Sequence, residues 1–343
     1  MNKYAVVLIP SYNPDEEIMQ NFLNDLSKKF ENIVIVNDGS DQIYDKFFEN
    51  LSNQHQVLRH YKNLGKGRAL KTGINFILNN FPNIKVIITA DCDGQHSVKD
   101  IEACFKASLN NPNSLVLGTR NFNDEKVPFK SKYGNKITRN MFKIFVGINI
   151  TDTQTGLRAM SRDIATKFLD VAGERYEYET NMLITCKCEN IKIYEEKIDT
   201  VYINGNELSH FNPVKDSIII YKLFVKYILA SISSFLVDII FFTIILNFIN
   251  NLANAILIST ILARIISSSY NYLINSKLVF KQMNKYSLIK YFILVIIMMF
   301  ISGFAVDYLV ELIKWNATLV KIIVDAFIFI INFIIQREFI FKK

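Results

Sequence analysis

Up to about residue 215, short runs of Val, Ile and Leu alternate with stretches whose apolar residues recur every three or four positions. The runs 4–9, 33–36 and 86–90 predict strands, and the helical spacing over 16–30 and 67–78 predicts the connections between them. Strands alternating with helices build βαβ units, so a mostly parallel, Rossmann-like α/β domain is expected over residues 1–215. Ligands of such a sheet lie beyond the carboxyl ends of its strands. The polar, turn-forming residues stand there: Pro10-Ser11-Tyr12-Asn13, then Asn37-Asp38-Gly39-Ser40, then Asp91-Cys92-Asp93-Gly94.

Near residue 220 the pattern changes. Between residues 229 and 276 the only charged side chains are Asp238 and Arg264, a stretch long enough for two membrane crossings of roughly 20 residues each. Four apolar spans follow one another near 224–248, 253–276, 289–313 and 318–337, which predicts an all-α domain of four transmembrane helices over 227–343. Lys277, Lys281, Lys285 and Lys290 crowd the middle break and Arg337, Lys342 and Lys343 the tail, so both termini are expected on the cytoplasmic side. Between the domains, 216–226 reads as an interfacial amphipathic helix, with Lys215, Lys222 and Lys226 toward headgroups.

The apolar half also reads as a duplication. Ser233-Ser234-Phe235-Leu236-Val237-Asp238 matches Ser302-Gly303-Phe304-Ala305-Val306-Asp307, and the stretch from Asn271 to Phe280 matches that from Asn332 to Phe341. Asp238, Arg264, Asp307 and Asp325 lie inside spans, where charge is costly; a structural tie to Arg264 and a polar headgroup path are both open.

Composition narrows the picture. With 343 residues, half of them apolar, the chain suits two domains and is neither disordered nor purely soluble. The net charge of +7 comes from dispersed Lys and Arg with no aromatic-interleaved stripe, which excludes nucleic acid and favours anionic lipid headgroups. Cys92, Cys104, Cys186 and Cys188 form neither a disulfide framework nor a zinc knuckle and read as reduced thiols. The run after Lys3 is too short for a signal peptide, so the first domain is expected in the cytoplasm. His55, His60 and His96 read as surface residues.

Two carboxylates on alternate residues at a strand end, Asp91 and Asp93, can meet one hard cation together with Gln95, the all-oxygen set that Mg²⁺ or Mn²⁺ accepts; a solvated turn has the same spelling. Asp38 after a second buried strand can take a ribose or base, or cap a turn. Asn63-Leu64-Gly65-Lys66-Gly67-Arg68 places backbone amides and cations where a helix begins, which suits phosphates, although it is no Walker loop.

In this order the pieces resemble the family 2 glycosyltransferases of GT-A fold, especially the polyprenyl-phosphate glycosyltransferases of the dolichol-phosphate mannose synthase type, over residues 4–215. The resemblance covers Pro10 to Asn13 with Glu17, Asn37 to Asp41, Asn63 to Ala69, the triad Asp91, Asp93 and Gln95, Gly118-Thr119-Arg120, and Asp152 to Arg158. Asn37 departs from the family's paired acids, and Lys132, Lys136 or Arg139 stands in for a missing arginine. The tail resembles the GtrA-like membrane proteins through Asn271 to Phe280 and its repeat.

The resemblance implies transfer of a sugar from a UDP- or GDP-sugar to a polyprenyl phosphate, with inversion, using Mg²⁺ or Mn²⁺. It places Pro10, Tyr12, Asn13, Glu17, Asp38, Lys66 and Asp91 on the donor and Arg120 and Arg158 on phosphates. Lys132, Asp152, Glu177, Glu179 and His210 fall on the acceptor or sugar side, where exposed-helix and purely structural roles stay open. The Asn, Lys and Ile content suggests a bacterial plasma membrane and undecaprenyl phosphate. Two other functions compete: direct polysaccharide synthesis, disfavoured because the single tryptophan, Trp315, lies in an external loop, and a transporter or scaffold whose soluble domain only binds.

Overall fold

The computed structural model describes residues 2–120, 129–199, 218–249, 255–280, 286–315 and 317–341. The chain divides into two compact units, Met1–Ile218 and Ile219–Lys343. The first contains β1 (Asn2–Ser11), β2 (Phe30–Asn37), β3 (Gln56–Arg59), β4 (Val86–Thr89), β5 (Ser114–Arg120), β6 (Arg158–Ser161) and β7 (Lys192–Ile198). Its helices are α1 (Glu16–Ser27), α2 (Asp45–Ser52), α3 (Lys66–Asn80), α4 (Val98–Asn110), α5 (Phe129–Met141), α6 (Arg162–Leu169) and α7 (Glu177–Cys188).

The sheet runs β3-β2-β1-β4-β6-β5-β7. Every neighbouring pair is parallel except those of β6, which lies antiparallel to β4 and to β5. Two reversals cancel, so β4 and β5 point the same way and their carboxyl ends share one rim with those of β1 and β2. The first residues of β6 arrive at that rim from the opposite direction.

Burial of β1 on both faces explains its unbroken apolar run. Ala5, Val7 and Ile9 pack with Met19 and Leu23 of α1 and with Ile101 and Phe105 of α4. On the other face Leu8 lies against Gly73 of α3, where no β-carbon fits. The Asp15 carboxylate caps α1 by accepting from the Ile18 amide at 3.0 Å, and Ser97 and Asp100 close a reciprocal cap at the start of α4. The helix expected over 16–30 stops at Ser27, because Phe30 opens β2 and buries its ring edge-on to Phe105.

The second unit contains four long helices among the described residues: α8 (Ile218–Ile249), α9 (Ala255–Ile274), α10 (Ser287–Ile313) and α11 (Ala317–Ile335). Among the described residues one segment, Val225–Ile249, is long and apolar enough to cross a membrane, with mean hydropathy 2.4; Ser287–Ser302 is a shorter apolar stretch. No break separates the expected surface helix from the first span, since α8 is continuous from Ile218. Arg264 stands 3.8 Å from Asp238, whose other oxygen accepts from the Ser267 hydroxyl at 2.7 Å, and Ser302 donates to Asp325 at 2.8 Å.

Both α9 and α11 run into a π-helical turn, Asn275–Val279 and Gln336–Ile340 respectively. These turns occupy equivalent places in the two repeats, and their first residues meet: Asn275 Nδ2 donates to Gln336 Oε1 at 3.1 Å. Aromatic pairs repeat across the same junction, with Phe280 stacked on Phe341 at 5.0 Å. Phe280 with Phe333 and Phe341 with Tyr272 lie at 5.7 and 5.8 Å, the same pair seen from each repeat.

Candidate active site

Four polar segments reach the common rim, those following β1, β2 and β4 and the one that leads into β6, and β5 ends there at Arg120. The last is pinned beside β4 where Thr89 Oγ1 donates to the Gly156 carbonyl at 2.8 Å. Gly156 is obligatory there, because a β-carbon would stand 2.7 Å from the carboxyl carbon of Asp91.

Asp91 is the centre of charge. Its Oδ1 lies 2.7 Å from the Lys66 ammonium, and the same ammonium lies 3.1 Å from Glu179 Oε2 on α7. Lys66 is placed by Gly65, the residue before α3, which holds φ +104 and packs so closely on the Glu174 carbonyl that a side chain is excluded. Burial alone would raise the Asp91 carboxyl, but Lys66, with Arg120, outweighs it and holds it below the ordinary carboxylate range. Burial likewise opposes the charge of Lys66, yet Asp91 and Glu179 raise its proton affinity above normal. Asp93 goes the other way: burial and the neighbouring Asp91 charge push it up, although its Oδ1 accepts the Gln95 amide at 3.1 Å.

His96 completes this group. It is buried, contrary to its expected surface position, and burial holds its ring in the neutral form. Neither ring nitrogen has a hydrogen-bond partner among the described residues. Two carboxylates and an orphaned imidazole at one rim fit a divalent cation in donor chemistry. Among the described residues no three such groups already converge as a cage, so an ion held here needs ligands from its substrate.

Three of the expected ligand residues are engaged within the protein. Asp38 is buried with both oxygens in use: Oδ1 pairs with His60 Nδ1 at 2.6 Å and accepts the Leu64 amide at 2.9 Å, while Oδ2 accepts the Gly65 amide at 2.8 Å. His60, read as a surface residue, is therefore buried, and its Nε2 lies 3.0 Å from the Thr72 hydroxyl. This carboxylate ties down the loop that carries Lys66. Arg158 does not reach the rim. It is 1% exposed, and its guanidinium donates to the carbonyls of Thr155 and Glu179 at 3.1 and 2.7 Å, tying β6 to α7. Asp152 is fully buried and fixes Arg120 through two bonds of 2.7 and 3.0 Å.

Arg120 stays at the rim, its side chain 19% exposed and oriented by Asp152. Tyr12 is exposed just after β1, Pro10 is buried at the end of β1, and Glu17 is exposed on the first turn of α1. Asn13 links two loops, since its side chain exchanges bonds of 2.8 and 2.9 Å with Asp41. The Glu177 carboxylate accepts the amides of Glu174 and Arg175, a cap for its own helix. Lys132, Lys136 and Arg139 are exposed on α5, and His210 lies outside the described residues. His96 was missed because a histidine after Asp-x-Asp-Gly-Gln carries no periodicity signal; only its burial marks it.

A parallel sheet with one reversed strand, an acidic pair after its central strand and a lysine at the head of α3 define a GT-A type glycosyltransferase. The chain belongs to glycosyl transferase family 2, whose profile matches residues 6–169, and the GtrA/DPMS transmembrane domain profile matches residues 226–341. An uncharacterized Methanocaldococcus jannaschii protein is 32% identical over 227 residues, covering 65% of this chain and 91% of that one. A Methanococcus voltae UDP-N-acetylglucosamine–dolichyl-phosphate N-acetylglucosaminyltransferase is 31% identical over 222 residues, covering 59% and 87%. The crystal structure of glucosyl-3-phosphoglycerate synthase from Mycobacterium tuberculosis, in complex with Mn²⁺, UDP and glucosyl-3-phosphoglycerate, aligns with a TM-score of 0.48 at 14% identity, over 65% of this chain and 77% of that one.

Proposed function

We propose that the protein transfers a sugar from a UDP- or GDP-sugar to a polyprenyl phosphate, undecaprenyl phosphate in particular, with inversion at the anomeric carbon. The observation that carries this reading is the pairing, in one chain, of the Asp91–Asp93–Lys66 rim with an apolar helical unit of the GtrA/DPMS type. The name of the Methanococcus relative, a dolichyl-phosphate transferase, supports a lipid phosphate as acceptor.

An oxygen of the acceptor phosphate forms the new bond to the anomeric carbon as the bond to the diphosphate breaks and the nucleoside diphosphate departs. A phosphate acceptor is already anionic at neutral pH, so the site needs no strong general base. Its task is to stabilise the leaving diphosphate. Asp91 and Asp93, with Gln95, are the residues that would hold Mg²⁺ or Mn²⁺, which as a Lewis acid neutralises charge on the diphosphate. Arg120, pre-oriented by Asp152, supplies a fixed guanidinium, and Lys66 supplies a mobile ammonium. Four spans with both termini cytoplasmic would anchor the catalytic unit at the cytoplasmic membrane surface, where the acceptor phosphate emerges.

The test is purified protein in detergent with undecaprenyl phosphate, Mg²⁺ or Mn²⁺ and a panel of radiolabelled UDP- and GDP-sugars. An organic-extractable lipid-phosphate sugar from one donor is the expected outcome. Binding of nucleotide without any lipid product from the whole panel would overturn the acceptor assignment.

A further inference from the structure

Lys66 sits in an unusual place for a phosphate-binding lysine. Its ammonium is not turned toward open solvent; the side chain is 18% exposed and is held between carboxylates from two different elements, Asp91 after β4 and Glu179 on α7. Gly156 lies against Oδ2 of the Asp91 carboxylate, and the ammonium holds the other oxygen, Oδ1, so both oxygens are engaged in the empty enzyme. Glu179 is itself buried, and its Oε1 has no hydrogen-bond partner among the described residues. Lysine is suited to this arrangement because a compact point charge on a flexible four-carbon stem can change partners without rebuilding the loop that carries it. The stem starts from a fixed base, since Asp38 holds the amides of Leu64 and Gly65.

We propose that Lys66 is a tethered counter-cation for Asp91: it neutralises that carboxylate in the empty enzyme and releases it on loading, keeping Glu179 as its remaining anion while it turns toward the diphosphate. This inference rests on the metal assignment made above. Like charges compete for one carboxylate, so the bare site should bind a divalent cation poorly until nucleotide arrives to engage the ammonium. Metal and nucleotide then bind as a pair, which keeps the acidic rim from being filled by free cation alone.

The experiment is Mn²⁺ binding to the full chain in detergent, followed through loss of the free-ion EPR signal, with and without UDP. Without nucleotide, Lys66→Met and Lys66→Gln should each bind Mn²⁺ about tenfold more tightly than the wild type. With UDP the order should reverse, because the wild type gains its ammonium contact to the diphosphate. Equal or weaker Mn²⁺ binding by both variants in the absence of UDP overturns the counter-cation role and leaves the metal assignment standing. Absence of Mn²⁺ binding in wild type and variants, with or without UDP, overturns the metal assignment and this inference with it. A measurement on the wild type covers the case of variants that do not fold: amine acylation mapped by mass spectrometry. Mn²⁺ should raise labelling of Lys66 several-fold relative to Lys71, whose partner is Glu174; unchanged relative labelling overturns the release.

Discussion

Two loops of the first unit carry an acid at the end of a buried parallel strand, and they have opposite fates. Asp38 after β2 is saturated by the protein, with an imidazole and two backbone amides filling both oxygens. Asp91 and Asp93 after β4 are left with one lysine ammonium, one local amide and, among the described residues, an imidazole nearby that has no hydrogen-bond partner. The first loop is tied up as scaffolding, and the second keeps its carboxylates available for the chemistry proposed above. What separates them is not their sequence, since Asn-Asp-Gly-Ser and Asp-Cys-Asp-Gly are equally polar turns, but the donors that other segments bring.

Asp93→Ala attacks the open loop and should have the largest effect. Transfer is expected to fall on the order of a thousandfold, as loss of metal-assisted charge neutralisation implies, with the melting temperature moved by no more than about 2 °C. Asp38→Ala attacks the saturated loop and should show the converse, a loss of about 3 kcal/mol in stability by denaturant titration, because it strands the buried His60 and two amides. If Asp38→Ala instead left stability intact and removed only nucleotide binding, the distinction between the loops would collapse. A smaller effect is expected at Asp152. Asp152→Asn should slow transfer about thirtyfold by loosening Arg120, and combined with Arg120→Gln it should add little more than the single arginine change. Additive losses would show that the two residues act separately.

The smallest effect concerns thiols. Burial pushes Cys104 and Cys186 up to about 12 and Cys92 up to about 11, so all three should resist iodoacetamide at pH 8. Exposed Cys188 should be labelled first, without loss of transfer. Early labelling of Cys92 would show that the acidic rim is more open than its geometry.

Three of the strands, β1, β2 and β4, with their polar ends, and the switch to apolar helices were legible in the sequence, because turn residues after Val- and Ile-rich runs and long uncharged stretches are local signals, whereas β3, β5, β6 and β7 carry no such run ahead of a polar turn. The division of labour at the rim was not. His60 lies 22 residues from Asp38, and Glu179 lies far from Lys66 along the chain, so neither pairing leaves a local trace. Arg158 misled for a related reason: an arginine after Thr-Gln-Thr-Gly-Leu reads as a rim residue until the reversed strand β6 is known to bury it. In the apolar half the duplication gave the sequence more reach, since it singled out the segments that carry the two π-helical turns.

The meeting of Asn275 with Gln336 has a consequence for how such a fold comes to exist. A residue that finds its own counterpart across a junction is what two copies of one hairpin would do about a twofold axis. Between two separate chains such a contact would depend on how many copies shared a membrane; within one chain the encounter is unimolecular, with an effective concentration of order millimolar, and the two amides are free to differ in length, asparagine on one side and glutamine on the other.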